Sequence, residues 1–177
     1  MDTDPWPVIE RAVEYETGWY RGGYDLVEQP DGSTKRYYWA SLPPAVVVVA
    51  RDADQLVFVE QYRPTIRQVH LELPAGIVEP DETYVEAASR ELREETGYDA
   101  GTVELLQEVQ VATGVLSHRR GYVFATDLES GDPSLEGNEF LEVTHISLEE
   151  ALDRVRAGPA NDASVMGILL AEADGWL

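Results

Sequence analysis

Three glutamates, Glu91, Glu94 and Glu95, crowd into the stretch Arg90-Glu-Leu-Arg-Glu-Glu-Thr-Gly97. The residues from Glu82 to Thr96 contain neither Gly nor Pro and are rich in Glu, Ala, Leu and Arg. They read as a helix, with Gly97 placed where a left-handed C-terminal cap belongs. On a helix, positions three and four apart are neighbours, so these three carboxylates share a face and repel one another. A row of this kind makes sense when divalent cations neutralise it. An oxygen-only donor set suits Mg²⁺, with Mn²⁺ as a substitute, bound through a few carboxylates, waters and substrate phosphates. Such ions polarise a phosphoryl oxygen, activate water and stabilise a leaving phosphate. Just upstream, Leu73-Pro74-Ala75-Gly76 reads as an extended run ending in a turn, where glycine lets the backbone approach a metal and offer it a carbonyl. The plainer alternative is that an acidic protein simply has acidic helices.

The spacing around these residues is more specific than an acidic helix requires. It runs Gly76, five residues, Glu82, seven residues, Arg90-Glu91-Leu92, one residue, Glu94-Glu95, one residue, Gly97. Here the chain resembles the Nudix hydrolases, whose signature is this box; the mild departure is Tyr98, where the family usually has an aliphatic residue. The resemblance implies a mixed β-sheet sandwiched between helices, an α/β (α+β) fold. It also implies hydrolysis of a nucleoside diphosphate linked to some other group. Arg90 reads as a partner that orients a box glutamate, with phosphate contact as its other possible role.

The whole chain bounds this reading. Its 177 residues fit one domain, with a small appendage allowed, and 44 % apolar content is enough for a core. There is no cysteine, which excludes disulfides, thiolate metal sites and cysteine nucleophiles. The N-terminus MDTDPWPVIE has neither a basic region nor an apolar run, and the longest apolar stretch, Ala45 to Ala50, is far too short to cross a membrane. A cytoplasmic protein is expected. The formal net charge is −21, and Lys35 is the one lysine among thirteen basic residues. Such a chain repels nucleic acid and anionic membranes. The composition resembles that of proteins from salt-accumulating organisms, in which ionic strength screens self-repulsion. A pyrophosphate substrate is itself an anion, so cations and locally placed arginines must offset the protein's charge.

Along the chain, residues 1–42 read as a small N-terminal β-sheet region and 43–177 as the hydrolase domain. Val8 to Tyr20 is one strand candidate. Tyr24 to Gln29 and Thr34 to Ala40 flank Pro30-Asp31-Gly32-Ser33, a hairpin turn. Ala45 to Ala50 is a β-branched run expected of a strand buried on both faces, and Leu56 to Tyr62 returns beside it. Further strands are expected at Val69 to Leu73, Val103 to Ala112, Gly121 to Asp127 and Phe140 to Ile146. Ser147-Leu-Glu-Glu150 reads as a capping box opening a helix to about Ala157, stopped by Gly158-Pro159. A last helix is expected from Asn161 to Ala173.

The box does not choose the substrate. Val59-Glu-Gln-Tyr-Arg63-Pro64, Leu71-Glu-Leu-Pro-Ala-Gly76 and Asn161-Asp-Ala-Ser-Val165 are similar to motifs of the ADP-ribose pyrophosphatase subfamily, and so is the extra N-terminal sheet. That resemblance spans roughly residues 18–171 and uses motifs less specific than the box. It implies metal ligation by the Ala75 carbonyl, Glu91 and Glu95 with Glu94 close by, and a diphosphate held by Arg63. Gly76, Glu82 and Arg90 would support this set, and Glu72 would line the site. The alternatives are a surface ion pair of Arg63 with Glu60 and an outward-facing strand residue at 72. The resemblance also implies a homodimer that exchanges N-terminal sheets, with Tyr24 and Arg36 contacting adenine; Tyr24 merely packing the small sheet is the alternative.

A catalytic base is expected in the loop Ser134-Leu-Glu136-Gly-Asn-Glu139-Phe-Leu-Glu142. Glu139 is the first choice and Glu136 the reserve, with Glu94 also in the catalytic set; Glu142 reads as a solvated strand residue. The base would take a proton from the water attacking one phosphorus, and ADP-ribose would give AMP and ribose 5-phosphate. Two departures bear on the substrate. The subfamily's proline some fifteen residues past the box is Thr113, and a common glutamate a few residues later is His118. His118 reads as an exposed loop histidine or a titrating catalytic group. The adjacent Arg119-Arg120 pair brings positive charge toward a far phosphate, while His70 and His145 need no special role. Two other readings compete: a Nudix hydrolase of a nucleoside triphosphate or dinucleoside polyphosphate, and a non-catalytic nucleotide sensor. The Leu71–Gly76 segment and the N-terminal sheet disfavour the first, and the complete set of box glutamates disfavours the second.

Overall fold

The computed structural model describes residues 4–135, 137 and 140–177. The chain forms two compact units. The first comprises residues 1–44 together with 110–119, so a ten-residue excursion from later in the chain joins the N-terminal region. It is a four-stranded sheet in the order β1 (Val8–Glu16), β2 (Arg21–Glu28), β3 (Thr34–Ser41), β9 (Leu116–Ser117). The β2–β3 hairpin closes at Asp31-Gly32, with Gly32 at a φ of 80° and the Asp31 carboxylate accepting the Ser33 N–H at 2.9 Å. The short β9 pairs parallel with β3 and has no apolar run long enough to announce it.

The second unit holds a mixed sheet with the path β11 (Leu141–Ser147), β5 (Gln55–Arg63), β4 (Ala45–Asp52), β10 (Arg119–Ser130), β8 (Tyr98–Gln110). Strand β6 (Gln68–Glu72) pairs with β5, and β7 (Ala75–Ile77) with β4. The valine run of β4 is buried on both faces, as its composition predicts. Val47 and Val49 face Leu56, Phe58, Tyr122 and Phe124 and the helices α2 (Leu148–Val155) and α3 (Asp162–Ala173). Val46, Val48 and Ala50 face Ala87, Ala88 and Leu92 of helix α1 (Tyr84–Thr96). A period of two along one strand thus builds two cores and places helices on opposite sides of the sheet. Among the described residues, no helix is long and apolar enough to cross a membrane.

Several boundaries differ from expectation for local reasons. Helix α1 begins at Tyr84, not Glu82, because Thr83 is its N-cap and forms a reciprocal capping box with Glu86. The turn expected at Gly76 is displaced: residues 75–77 continue as β7, and the turn follows before the helix. Strand β8 starts directly after the Gly97 cap instead of at Val103. Ser147 makes no side-chain bond to the helix backbone; its hydroxyl donates to the Glu150 carboxylate at 2.8 Å, and α2 ends at Val155. Helix α3 begins at Asp162, and Asn161 is its N-cap, accepting the Ala163 N–H at 2.8 Å.

Candidate functional site

The acidic site is built where α1 packs on β7 at the edge of β4. The apolar side of α1, Ala87, Ala88 and Leu92, seats the helix on the sheet. Glu91 and Glu95 follow on the buried side, at 8 % and 4 % exposure. Burying carboxylates is costly unless they are paired or hydrogen-bonded. Glu95 accepts the Ala75 N–H at 3.1 Å, and Glu91 accepts from Arg90 Nη1 at 2.8 Å. Gly76 gives Glu91 its place: a Cβ at position 76 would lie 1.9 Å from the Glu91 carboxyl carbon. The requirement for glycine is therefore steric, and the close approach is that of a side chain to the strand.

Arg90 links the glutamates of this region. Its Nε and Nη2 donate to the two oxygens of Glu82 at 2.8 and 2.9 Å, Nη1 donates to Glu91 and, at 3.1 Å, to Glu94, and Nη2 also reaches the Ile77 carbonyl at 2.9 Å. Its pKa is raised, first by the bond to Glu82. Glu82 lies before the helix, where its carboxylate also accepts the Glu79 N–H at 3.0 Å. One guanidinium thus orients three carboxylates, and Glu94, with its side chain 37 % exposed, faces solvent more than Glu91 and Glu95 do.

A second pair stands on the neighbouring strands. Glu72, at the end of β6, is 3 % exposed and so does not face outward. Its partner is Arg63, at the end of β5. Arg63 Nε lies 3.2 and 3.1 Å from the two Glu72 oxygens, and Nη2 reaches the same carboxylate. The alternative partner, Glu60, is on the same strand as Arg63; the β5–β6 register sets Arg63 opposite Gln68 and Glu72 opposite Val59, so the long Arg63 side chain reaches along the strand pair to the Glu72 carboxylate. The Arg63 side chain keeps 43 % of its surface. The Glu72 bond raises its pKa, as does the charge of Glu95. A buried carboxylate aiming a half-exposed guanidinium is an arrangement suited to gripping a phosphate.

The donor set fits a hard divalent cation. Glu91, Glu94 and Glu95 supply oxygen only, and Arg90 is the cation hydrogen-bonded to the row. Among the described residues, no three His, Asp or Glu side chains converge as a preformed cage.

Other expected site residues lie elsewhere. Tyr24 and Arg36 belong to the first unit. Tyr24 is 7 % exposed, its hydroxyl donates to Glu10 at 2.8 Å, and the Arg36 guanidinium lies 4.5 Å from its ring centre. His118 is buried, not exposed, with Nδ1 2.8 Å from the Pro43 carbonyl. Arg120 is engaged by the Tyr122 hydroxyl and by Asp162, both at 3.2 Å. Glu136 and Glu139 lie outside the described residues. The segment leading to them is tied to the end of α1: Gly131 N–H donates to Gly97 O at 2.7 Å, and Ser134 N–H to Glu94 O at 2.9 Å. Gly97, at a φ of 78°, is both cap and contact, since a Cβ there would lie 2.6 Å from Gly131 O.

Sequence reasoning missed Ser164, a fully buried polar residue of α3 whose Oγ accepts the Leu73 N–H at 2.9 Å. Its signal was a serine two residues inside a helix start, at a position where polar groups otherwise face water.

Comparison with known proteins agrees with this geometry. The family model described as the NUDIX domain matches residues 41–166. A protein of Bacillus methanolicus named methanol dehydrogenase activator is 33 % identical over 135 residues, 75 % of this chain and 73 % of that protein. The ADP-ribose pyrophosphatase of Bacillus subtilis is 31 % identical over 140 residues, 77 % of this chain and 76 % of that one. A crystal structure of an ADP compounds hydrolase superposes over all of both chains with a TM-score of 0.88 at 22 % identity, a likeness of fold. The chain belongs to the Nudix family.

Proposed function

We propose that this protein hydrolyses the diphosphate bond of ADP-ribose or a related nucleoside diphosphate sugar, with Mg²⁺ as the working cation and Mn²⁺ as a substitute. The observation that carries this reading is the pair of buried carboxylates, Glu91 and Glu95, fixed against Gly76 and the Ala75 amide with Arg63 aimed by Glu72 nearby in the fold. Nudix hydrolases generally use divalent metals. The similarity to an ADP-ribose pyrophosphatase supports the substrate class.

In this reading Glu91, Glu95 and the Ala75 carbonyl hold the cation, with Glu94 beside them. When bound, the cation offsets the charge of the diphosphate and of the carboxylates, and lowers the pKa of water. Arg63 grips the diphosphate, and Glu72 fixes the direction of its guanidinium. Arg90 bridges and orients Glu91 and Glu94, while Glu82 holds Arg90. The water oxygen bonds to one phosphorus, the bridging oxygen leaves with the other phosphate, and the water's proton passes to a carboxylate. The candidates for that base are Glu139 and, in reserve, Glu136, with Glu94 also in the catalytic set. ADP-ribose yields AMP and ribose 5-phosphate.

The same reading includes a homodimer, to which Tyr24 and Arg36 contribute adenine contacts. Support comes from the apolar surface of the first unit, where Val8, Ile9, Val13, Tyr15 and Trp19 are exposed. A cytoplasmic location and a working environment of high ionic strength complete it, the latter supported by the net charge of −21.

The test is a phosphate-coupled assay with Mg²⁺ in low and in molar KCl, offering ADP-ribose, ADP-glucose, GDP-mannose, NADH, diadenosine tetraphosphate, ATP and dGTP. Preference for ADP-ribose or another nucleotide sugar is expected. Preference for a triphosphate or dinucleotide would overturn the substrate, and no turnover in either salt would favour a nucleotide sensor.

A further inference from the structure

We propose that Ser164 is a positioning residue for the carboxylate site, acting through the backbone of residues 73–75; this rests on the reading of that site as a divalent-cation centre. Leu73 and Pro74 lie between β6 and β7, where neither strand ladder continues. Two hydrogen bonds hold this junction. The Leu73 N–H donates to Ser164 Oγ at 2.9 Å, and the Pro74 carbonyl accepts the Val48 N–H at 2.8 Å. The residue before the junction is Glu72, which aims Arg63. The residue after it is Ala75, whose amide holds Glu95 at 3.1 Å. A tilt of the junction would move both pairs at once.

Helix α3 is anchored so that it can hold this point. Asn161 caps it, Asp162 pairs with Arg120 of β10 at 3.2 Å, and Gly167 lets Leu73 pack so closely that a Cβ there would meet Leu73 Cδ1 at 2.8 Å. The segment Asn161-Asp-Ala-Ser-Val165 thereby gains a role that involves no contact with substrate. Ser164 is 1 % exposed, so loss of its oxygen would leave a buried amide without its acceptor, and the junction must shift or admit water to satisfy it.

The experiment is Mn²⁺ binding without nucleotide, followed by electron paramagnetic resonance, alongside thermal unfolding. It compares the unsubstituted protein, Ser164→Ala, Ser164→Cys and Ile168→Val. Ile168 is equally buried on the same helix and serves as a core control. Ser164→Ala should weaken Mn²⁺ binding about tenfold or more, the scale on which outer partners of metal ligands act. Ser164→Cys, a weaker acceptor of similar size, should fall between, and it decides the matter if the alanine variant does not fold. Ile168→Val should lower Tm and leave Mn²⁺ affinity unchanged. Unchanged affinity in both serine variants would overturn the proposal, as would an equal loss in Ile168→Val. Failure of the unsubstituted protein to bind Mn²⁺ would instead overturn the cation-centre reading, and this inference with it.

Discussion

The carboxylate of Glu91 occupies the space in which a side chain at position 76 would begin, since a Cβ on Gly76 would lie 1.9 Å from Glu91 Cδ and from its Oε1. Gly76 is therefore required by the room that the Glu91 carboxylate needs, not by a left-handed backbone.

Replacing Gly76 with alanine should therefore act on the site more than on the fold. The added methyl group must displace the Glu91 carboxylate, at an overpacking cost of about 1–3 kcal/mol. A displacement of about 1 Å lowers turnover on the order of a hundredfold. Steady-state kinetics with thermal unfolding checks this. Activity close to that of the unsubstituted protein would mean that the contact does not hold the carboxylate in its working place.

Arg63 and Glu72 should separate stability from activity. Arg63→Ala leaves a buried carboxylate without its cation, which should cost about 1–3 kcal/mol, at the lower end of buried-pair losses because Arg63 is partly exposed. Adding Glu72→Gln to that variant should recover much of the stability and none of the activity. The measurement is a double-mutant cycle read by both Tm and kcat/KM. Recovery of activity along with stability would show that Arg63 is only a structural partner.

Glu82 should contribute to acid sensitivity. Its pKa is lowered in the folded chain, first by the hydrogen bond from Arg90. A lowered folded pKa stabilises above the unfolded value of about 4.3, and that contribution is lost as pH falls from there through the folded value. Glu82→Gln should thus lower Tm at neutral pH, and its gap from the unsubstituted protein should close as pH falls below about 4. A gap that stays constant with pH would contradict this.

The parts of the molecule legible in the sequence were those with local causes. The valine run of β4, the Gly97 cap and the hairpin at Asp31-Gly32 follow from residue type and spacing. The acidic row of α1 was equally plain. What stayed hidden depends on partners far away in the chain. Glu72 reads as an outward strand residue until the Arg63 guanidinium reaches its carboxylate across the paired strands β5 and β6. His118 reads as an exposed loop histidine until the 110–119 excursion returns to Pro43. Ser164 acquires its meaning from an amide ninety-one positions earlier. The start of α1 is a different case, because the Thr83–Glu86 capping box is itself local, while the unbroken run of helix formers extends back to Glu82.

The most direct test of the central claim is ADP-ribose hydrolysis, with products identified, by the unsubstituted protein and by Glu95→Gln, with and without Mg²⁺. Glutamine can still accept the Ala75 N–H, so the fold should persist while a cation ligand is lost. The expected result is AMP and ribose 5-phosphate formed by the unsubstituted protein in Mg²⁺ alone, with Glu95→Gln folded and inactive. Hydrolysis without a divalent cation, or full activity of Glu95→Gln, would contradict it.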